Sequence, residues 1–139
     1  MAMTAALMMS GSVAQAQDVN IGRNNITLTS DLMTPETLWA MGRIGAAQAS
    51  PDGKKIVYQV GYYSVKENKG HQVLRVMDAE GKNDRLLTTS AKSEGDAAWL
   101  DNNALAFLTG GQLWTMNADG TNRKQLTHSD IDIEGFRFS

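Results

Sequence analysis

The side chains of this sequence that could carry chemistry are few, and their spacing argues against most of the chemistry they suggest. Asp130, Asp132 and Glu134 alternate, so a β-strand would present all three carboxylates on one face, a pattern suited to a hard cation such as calcium. The interleaved Ile131 and Ile133 mark an ordinary half-exposed strand equally well, and that is the reading taken. His71 and His128 lie 57 residues apart near expected strand ends and read as surface residues rather than ligands or bases. No serine sits in Gly-x-Ser-x-Gly, the strained turn that exposes a hydrolase nucleophile. Ser12 belongs to an apolar opening segment and Ser50 opens a Pro-Asp-Gly turn, and neither has a histidine placed as its base. The absence of cysteine removes disulfides, thiolate zinc sites and a thiol nucleophile. The sequence therefore gives no catalytic, cofactor-binding or metal-binding residue to this chain.

Composition narrows the class further. With 42% apolar and 20% charged residues, the 139-residue chain has the make-up of a folded protein with a modest core. A net charge of −2 and scattered pairs such as Lys54-Lys55 and Arg123-Lys124 give no basis for binding nucleic acid or an anionic membrane surface. Residues 2–13 form a short uncharged apolar run, too short to span a bilayer. Ala14-Gln15-Ala16 follows, a small-x-small pattern suited to signal peptidase. The opening Met1-Ala2-Met3-Thr4 lacks the basic residue such a signal normally carries. Export with cleavage after Ala16 is the reading adopted over a disordered tail. Asn25-Ile26-Thr27 matches a glycosylation triplet, but a common one.

The elements that must position these residues are set by a repeat. VLRVMDAEGKNDRLLT at 73–88 returns 39 positions later as QLWTMNADGTNRKQLT at 112–127, with seven of sixteen aligned positions identical. ASPDGKKIVY at 49–58 has a degraded echo in WLDNNALAF at 99–107. A period near 40 built from short strands and Gly turns is the signature of β-propeller blades. A β-sandwich could show strands at this spacing but would not require the repeat. The expectation is an all-β, incomplete β-propeller of about two four-stranded blades plus the start of a third. Residues 1–16 form the export segment, 17–45 an extended leader and 46–139 the partial propeller.

Thr34 suits an N-cap, Pro35 the first helical position, Glu36 the helix dipole and Gly42 the stop, so one short helix is expected over 34–42. Blade-one strands are expected at 56–63, 73–77 and 85–88, with a hairpin tip at 67–70. Blade-two strands are expected at 96–100, 104–108, 112–117 and 124–127, and the third blade from Ile133. Trp99, Phe107 and Trp114 recur on blade two; aromatic platforms bind sugars, but packing between blades is the reading taken.

The Ser-Pro-Asp-Gly phrase at 50–53, alternating with the Asn-Ala-Asp-Gly phrase at 117–120, resembles two groups of exported propellers. These are the TolB-like propellers and the N-terminal propeller of the prolyl-oligopeptidase (S9) serine peptidases. The leader from Leu32 to Gly45, with Thr34-Pro35-Glu36-Thr37-Leu38 and Gly42-Arg43, is similar to the bacterial acylaminoacyl-peptidase and dipeptidyl-peptidase 5 branch of the second group. The resemblance covers about residues 32–139. It implies an exported, periplasmic serine exopeptidase in which the propeller limits access and helps to hold short peptides for an α/β-hydrolase domain. The Ser-Asp-His triad of that domain has no position in this sequence. No cofactor, nucleic acid or stable membrane insertion is implied. The alternative is a non-enzymatic TolB-like propeller that binds a protein or envelope partner. Blade two departs from the pattern, with Leu100-Asp101-Asn102-Asn103 in place of Ser-Pro-Asp-Gly; an Asn is expected to take the turn's positive-φ position.

Overall fold

Asp78 and Asn117, one period apart, close their strands with the same turn. The amide of Asp78 donates to Lys82 and that of Gly81 to Asp78, both at 2.8 Å; Asn117 and Gly120 repeat the two bonds at the same distance. Gly81 (φ 79°) and Gly120 (φ 86°) sit in the left-handed region that a β-carbon disfavours, followed each time by an asparagine at φ 54°. The computed structural model describes residues 31–138. The expected export segment, the part of the extended leader before Asp31 and the Asn25 triplet therefore lie outside the described residues.

The architecture is all-β with one short helix. After α1 (Pro35–Ala40), strands β1 (Arg43–Ala49), β2 (Lys55–Ser64), β3 (Lys69–Asp78) and β4 (Arg85–Leu86) pair in chain order as one antiparallel sheet. Strands β5 (Glu94–Trp99), β6 (Ala104–Thr109), β7 (Gln112–Asn117) and β8 (Lys124–Gln125) form a second. Each sheet is a four-stranded meander of the propeller-blade type. Both inner strands carry a register shift at the same place, between Ile44 and Ala47 and between Gly95 and Ala98. Among the described residues no helix is long and apolar enough to cross a membrane.

Several expected boundaries move, for local reasons. Residues 69 and 70 pair with Ser64 and Tyr63, so the first hairpin tip is 65–68 rather than 67–70. The helix ends at Ala40, with Met41 already extended, so Gly42 does not stop it. Gly42 instead lets the chain press against β2, where a β-carbon would come within 2.7 Å of the Tyr62 ring and 2.9 Å of Val60. The blade-two turn is one residue shorter than Ser-Pro-Asp-Gly. Asp101 Oδ1 accepts from the amides of Asn103 (2.6 Å) and Ala104 (2.8 Å), and neither Asn102 nor Asn103 takes a positive φ. The third-blade strand expected from Ile133 is not formed, because no second strand lies beside it among the described residues to complete its ladder.

The core lies between the two sheets. Val57, Leu74, Val76 and Leu87 from the first blade meet Trp99, Leu105, Phe107, Met116 and Ala118 from the second. The same repeat position shows what this packing does. Leu87 is 1% exposed under the second blade, whereas its equivalent Leu126 on the second blade's far face is 46% exposed. Burial of one such leucine is worth about 2 kcal/mol. The strand β1, exposed at all seven positions, is the inner edge of its sheet.

The equivalent faces of the two blades differ chemically. Tyr58 pairs in register with Arg75, and Phe107 with Trp114. On the first blade Tyr58 and Arg75 both bond Asp84, at 2.7 and 2.6 Å. The Arg75 guanidinium holds the Asp84 carboxyl below the usual range, with Tyr58 assisting against some desolvation. The second blade has Phe107, Trp114 and Arg123 at these positions, and there the face is packed on the first blade.

Candidate functional site

Three units of the chain meet at one cavity of about 370 Å³, lined by residues of the leader, the first blade and the start of the second. The leader supplies Trp39 because Thr34 caps α1, its hydroxyl accepting from the Thr37 amide at 3.2 Å, and because Pro35 starts the helix. The close approach at Gly42 then turns the chain into β1 so that Arg43 follows beside it. The Arg43 guanidinium carbon lies 4.6 Å from the centre of the Trp39 ring. Trp39 in turn contacts Tyr63 with ring centres 5.3 Å apart and planes tilted by 52°. The hydroxyl of Tyr63 is held by Asn68 Oδ1. On the far side Ser93 Oγ accepts from the Gln72 amide at 3.1 Å, tying the second blade to the first. The cavity is thus an aromatic and cationic recess with bonded walls. Ser93 and the buried His71 also line it, and its aromatic and cationic groups suit it to holding a ligand.

A smaller cavity of about 220 Å³ lies between the inner strands, lined by alanines with Gln48 and Gln59. Both glutamines are engaged in joining the blades. Gln48 Oε1 accepts from the Trp99 amide at 3.0 Å and Gln59 Oε1 from the Asp96 amide at 3.3 Å. A third recess, at the opposite end of the first blade, is lined by Lys55, Asp78, Asn83 and Arg85. Its groups are likewise committed, with Asn83 bonded to Asp78 and Arg85 reaching the carbonyl of Ala118.

The residues singled out by sequence are not brought together. Asp130, Asp132 and Glu134 follow one another in irregular backbone past β8, so they share no strand face. Ile133 bonds the carbonyl of Gly111 there, and no group of three His, Cys, Asp or Glu able to hold a metal occurs among the described residues. His128 is exposed, as expected, but His71 is not. It lies buried on β3 opposite Tyr62, because β3 begins four residues earlier than its apolar run and carries the ring inside. Trp99, Phe107 and Trp114 pack between the blades, and the Trp99 indole donates to the carbonyl of Gln48 at 3.0 Å.

One pair was not read from the sequence. Glu94 is almost wholly buried and is ion-paired with Arg123, which also donates to the carbonyl of Leu87 at 3.1 Å and lies over the Phe107 ring at 4.9 Å. Burial pushes the Glu94 carboxyl up, while Arg123 and the hydroxyls of Thr88 and Ser90 pull it down. The signal available was that Arg123 replaces Asp84 at an otherwise repeating position.

No protein-family model matches the chain. Dipeptidyl-peptidase 5 of Porphyromonas endodontalis is 34% identical over 118 residues, covering 81% of this chain and 17% of that protein. This chain is homologous to the N-terminal part of dipeptidyl-peptidase 5, an S9 peptidase. Dipeptidyl-peptidase 5 of Porphyromonas gingivalis is 34% identical over 84 residues, covering 60% of this chain and 12% of that relative. The chain thus spans less than a fifth of the length of these curated relatives.

Proposed function

We propose that this chain is the opening part of the propeller of an exported serine exopeptidase of dipeptidyl- or acylaminoacyl-peptidase type. Its role is to limit access to, and position short peptides for, an α/β-hydrolase domain carried further along the same polypeptide. The observation that carries this reading is the 34% identity to dipeptidyl-peptidase 5 across 81% of the chain. The open far face of the second blade supports it, since Leu126 and the strands around it need a further unit for cover.

The reaction is acyl transfer to a serine followed by hydrolysis of the ester, with an oxyanion hole stabilising both tetrahedral intermediates. The nucleophile and its base belong to the hydrolase domain, so this chain contributes substrate selection alone. The test is to express the complete reading frame and assay release of dipeptides from unblocked chromogenic peptides and of acyl-amino acids from blocked ones. Hydrolysis abolished by a serine-directed covalent inhibitor is expected; a full-length polypeptide that binds but never cleaves such peptides overturns the reading.

A further inference from the structure

We propose that the cavity where the leader meets the two blades is a subsite for a carboxylate, with Arg43 as the receiving group and Trp39 and Tyr63 as apolar walls. Arg43 is exposed at the first position of β1, and its guanidinium lies over the Trp39 ring. Stacking occupies the flat faces of a guanidinium and leaves its edge of N–H donors open. That fork fits the two oxygens of a carboxylate. The ion pairs among the described residues are Arg75–Asp84, Lys82–Glu80 and Arg123–Glu94, so Arg43 is in none of them. Among the described residues, no acidic side chain lines the cavity. A stacked, pre-oriented cation facing a recess without a counter-charge is complementary to an anionic ligand.

The glycines in the wall point the same way. Gly61 of β2 pairs with Arg43 of β1, and Gly70 of β3 with Tyr63 of β2. Neither has a positive φ, and a β-carbon at either would meet its nearest neighbour at an ordinary 3.9 or 3.7 Å. Backbone geometry therefore does not require glycine at these strand positions, where it is entropically unfavourable. What glycine provides is open space beside Arg43 and bare backbone against which a ligand chain can lie. The volume of about 370 Å³ is in the range of small-ligand pockets.

That the carboxylate belongs to a peptide rests on the function proposed above; that a carboxylate binds rests on the cavity alone. The carboxylate could be a chain terminus or an acidic side chain, and the test separates them. The full-length polypeptide, treated with a serine-directed inhibitor so that nothing is cleaved, is titrated calorimetrically with three alanine tetrapeptides. One ends in a free acid, one in an amide, and one is the amide with an internal glutamate. The free acid or the glutamate peptide should bind about tenfold tighter than the plain amide, the worth of one charge-assisted pair. Arg43→Gln should bring that ratio to about one, and Arg43→Lys, which keeps the charge but loses the fork, should retain part of it. Because the ratio is taken within each preparation, partial misfolding of a variant cancels. A wild-type ratio near one, or a ratio that survives Arg43→Gln, overturns the subsite. Peptide cleavage without an Arg43-dependent ratio sinks this site alone; an Arg43-dependent ratio in a polypeptide that cleaves nothing sinks the peptidase reading alone.

Discussion

Glu94 sits 1% exposed between two blades, and the group that makes this tolerable is Arg123, reaching from the turn before β8 to the carboxylate, the Leu87 carbonyl and the Phe107 ring. Removing one partner of a buried pair leaves the other charge uncompensated. Arg123→Met should therefore cost about 3 kcal/mol in chemical denaturation of the full-length polypeptide. A loss comparable with an exposed Lys124→Met would show that the pair does not couple the blades. The Glu94 carboxyl is raised above 4.5, first by burial. An acid with a raised folded-state pKa favours the fold when protonated, so its contribution is full below about 4.5 and is lost as pH rises through the folded value. Asp84 runs the other way. Arg75 lowers it from 3.8, so its contribution is present above that value and lost as pH falls. Relative to Glu94→Gln, which fixes the neutral form, the wild-type polypeptide should accordingly lose stability as pH rises from 4.5 towards neutrality. A difference between the two that is constant with pH would contradict the burial of this carboxyl.

The elements test the repeat. Gly120, at φ 86°, closes the turn between β7 and β8, and a β-carbon there should cost about 1 kcal/mol or more. Thr121 is a poor comparison because its hydroxyl bonds Asp119 at 2.6 Å and Asn117 at 2.9 Å. Exposed Lys124 is the better one, so Gly120→Val should lower the melting temperature clearly more than Lys124→Val; equal effects would remove the turn assignment. These turns and the strand order were legible in the sequence because local chemistry specifies them twice, one period apart, and the short helix because Thr34 and Pro35 mark its start. The register shifts in β1 and β5 and the burial of His71 were not, since both depend on how neighbouring strands align and pack rather than on the residue types alone. The cavity was hidden for a similar reason. Trp39, Arg43, Tyr63 and Ser93 share no spacing, and it is the approach of Gly42 to Tyr62 and the contact of Trp39 with Tyr63 that bring the leader onto the blade.

At the scale of the molecule, the contrast between Leu87 and Leu126 predicts what surrounds these blades in the complete polypeptide. If a further blade covers the second as the second covers the first, Leu126→Ala should cost about as much as Leu87→Ala, about 3 kcal/mol. A cost under about 1 kcal/mol would mean that Leu126 stays at the surface. The described residues leave that face bare, so residues 17–139 in isolation should melt broadly and with weak cooperativity. The most direct measurement of the functional account compares this segment with the full-length polypeptide on dipeptidyl and acylaminoacyl chromogenic substrates. The account predicts turnover by the full-length polypeptide that a serine-directed inhibitor abolishes, and none by the segment. Inhibitor-sensitive hydrolysis by residues 17–139 alone, or its absence from the full-length polypeptide, would contradict it.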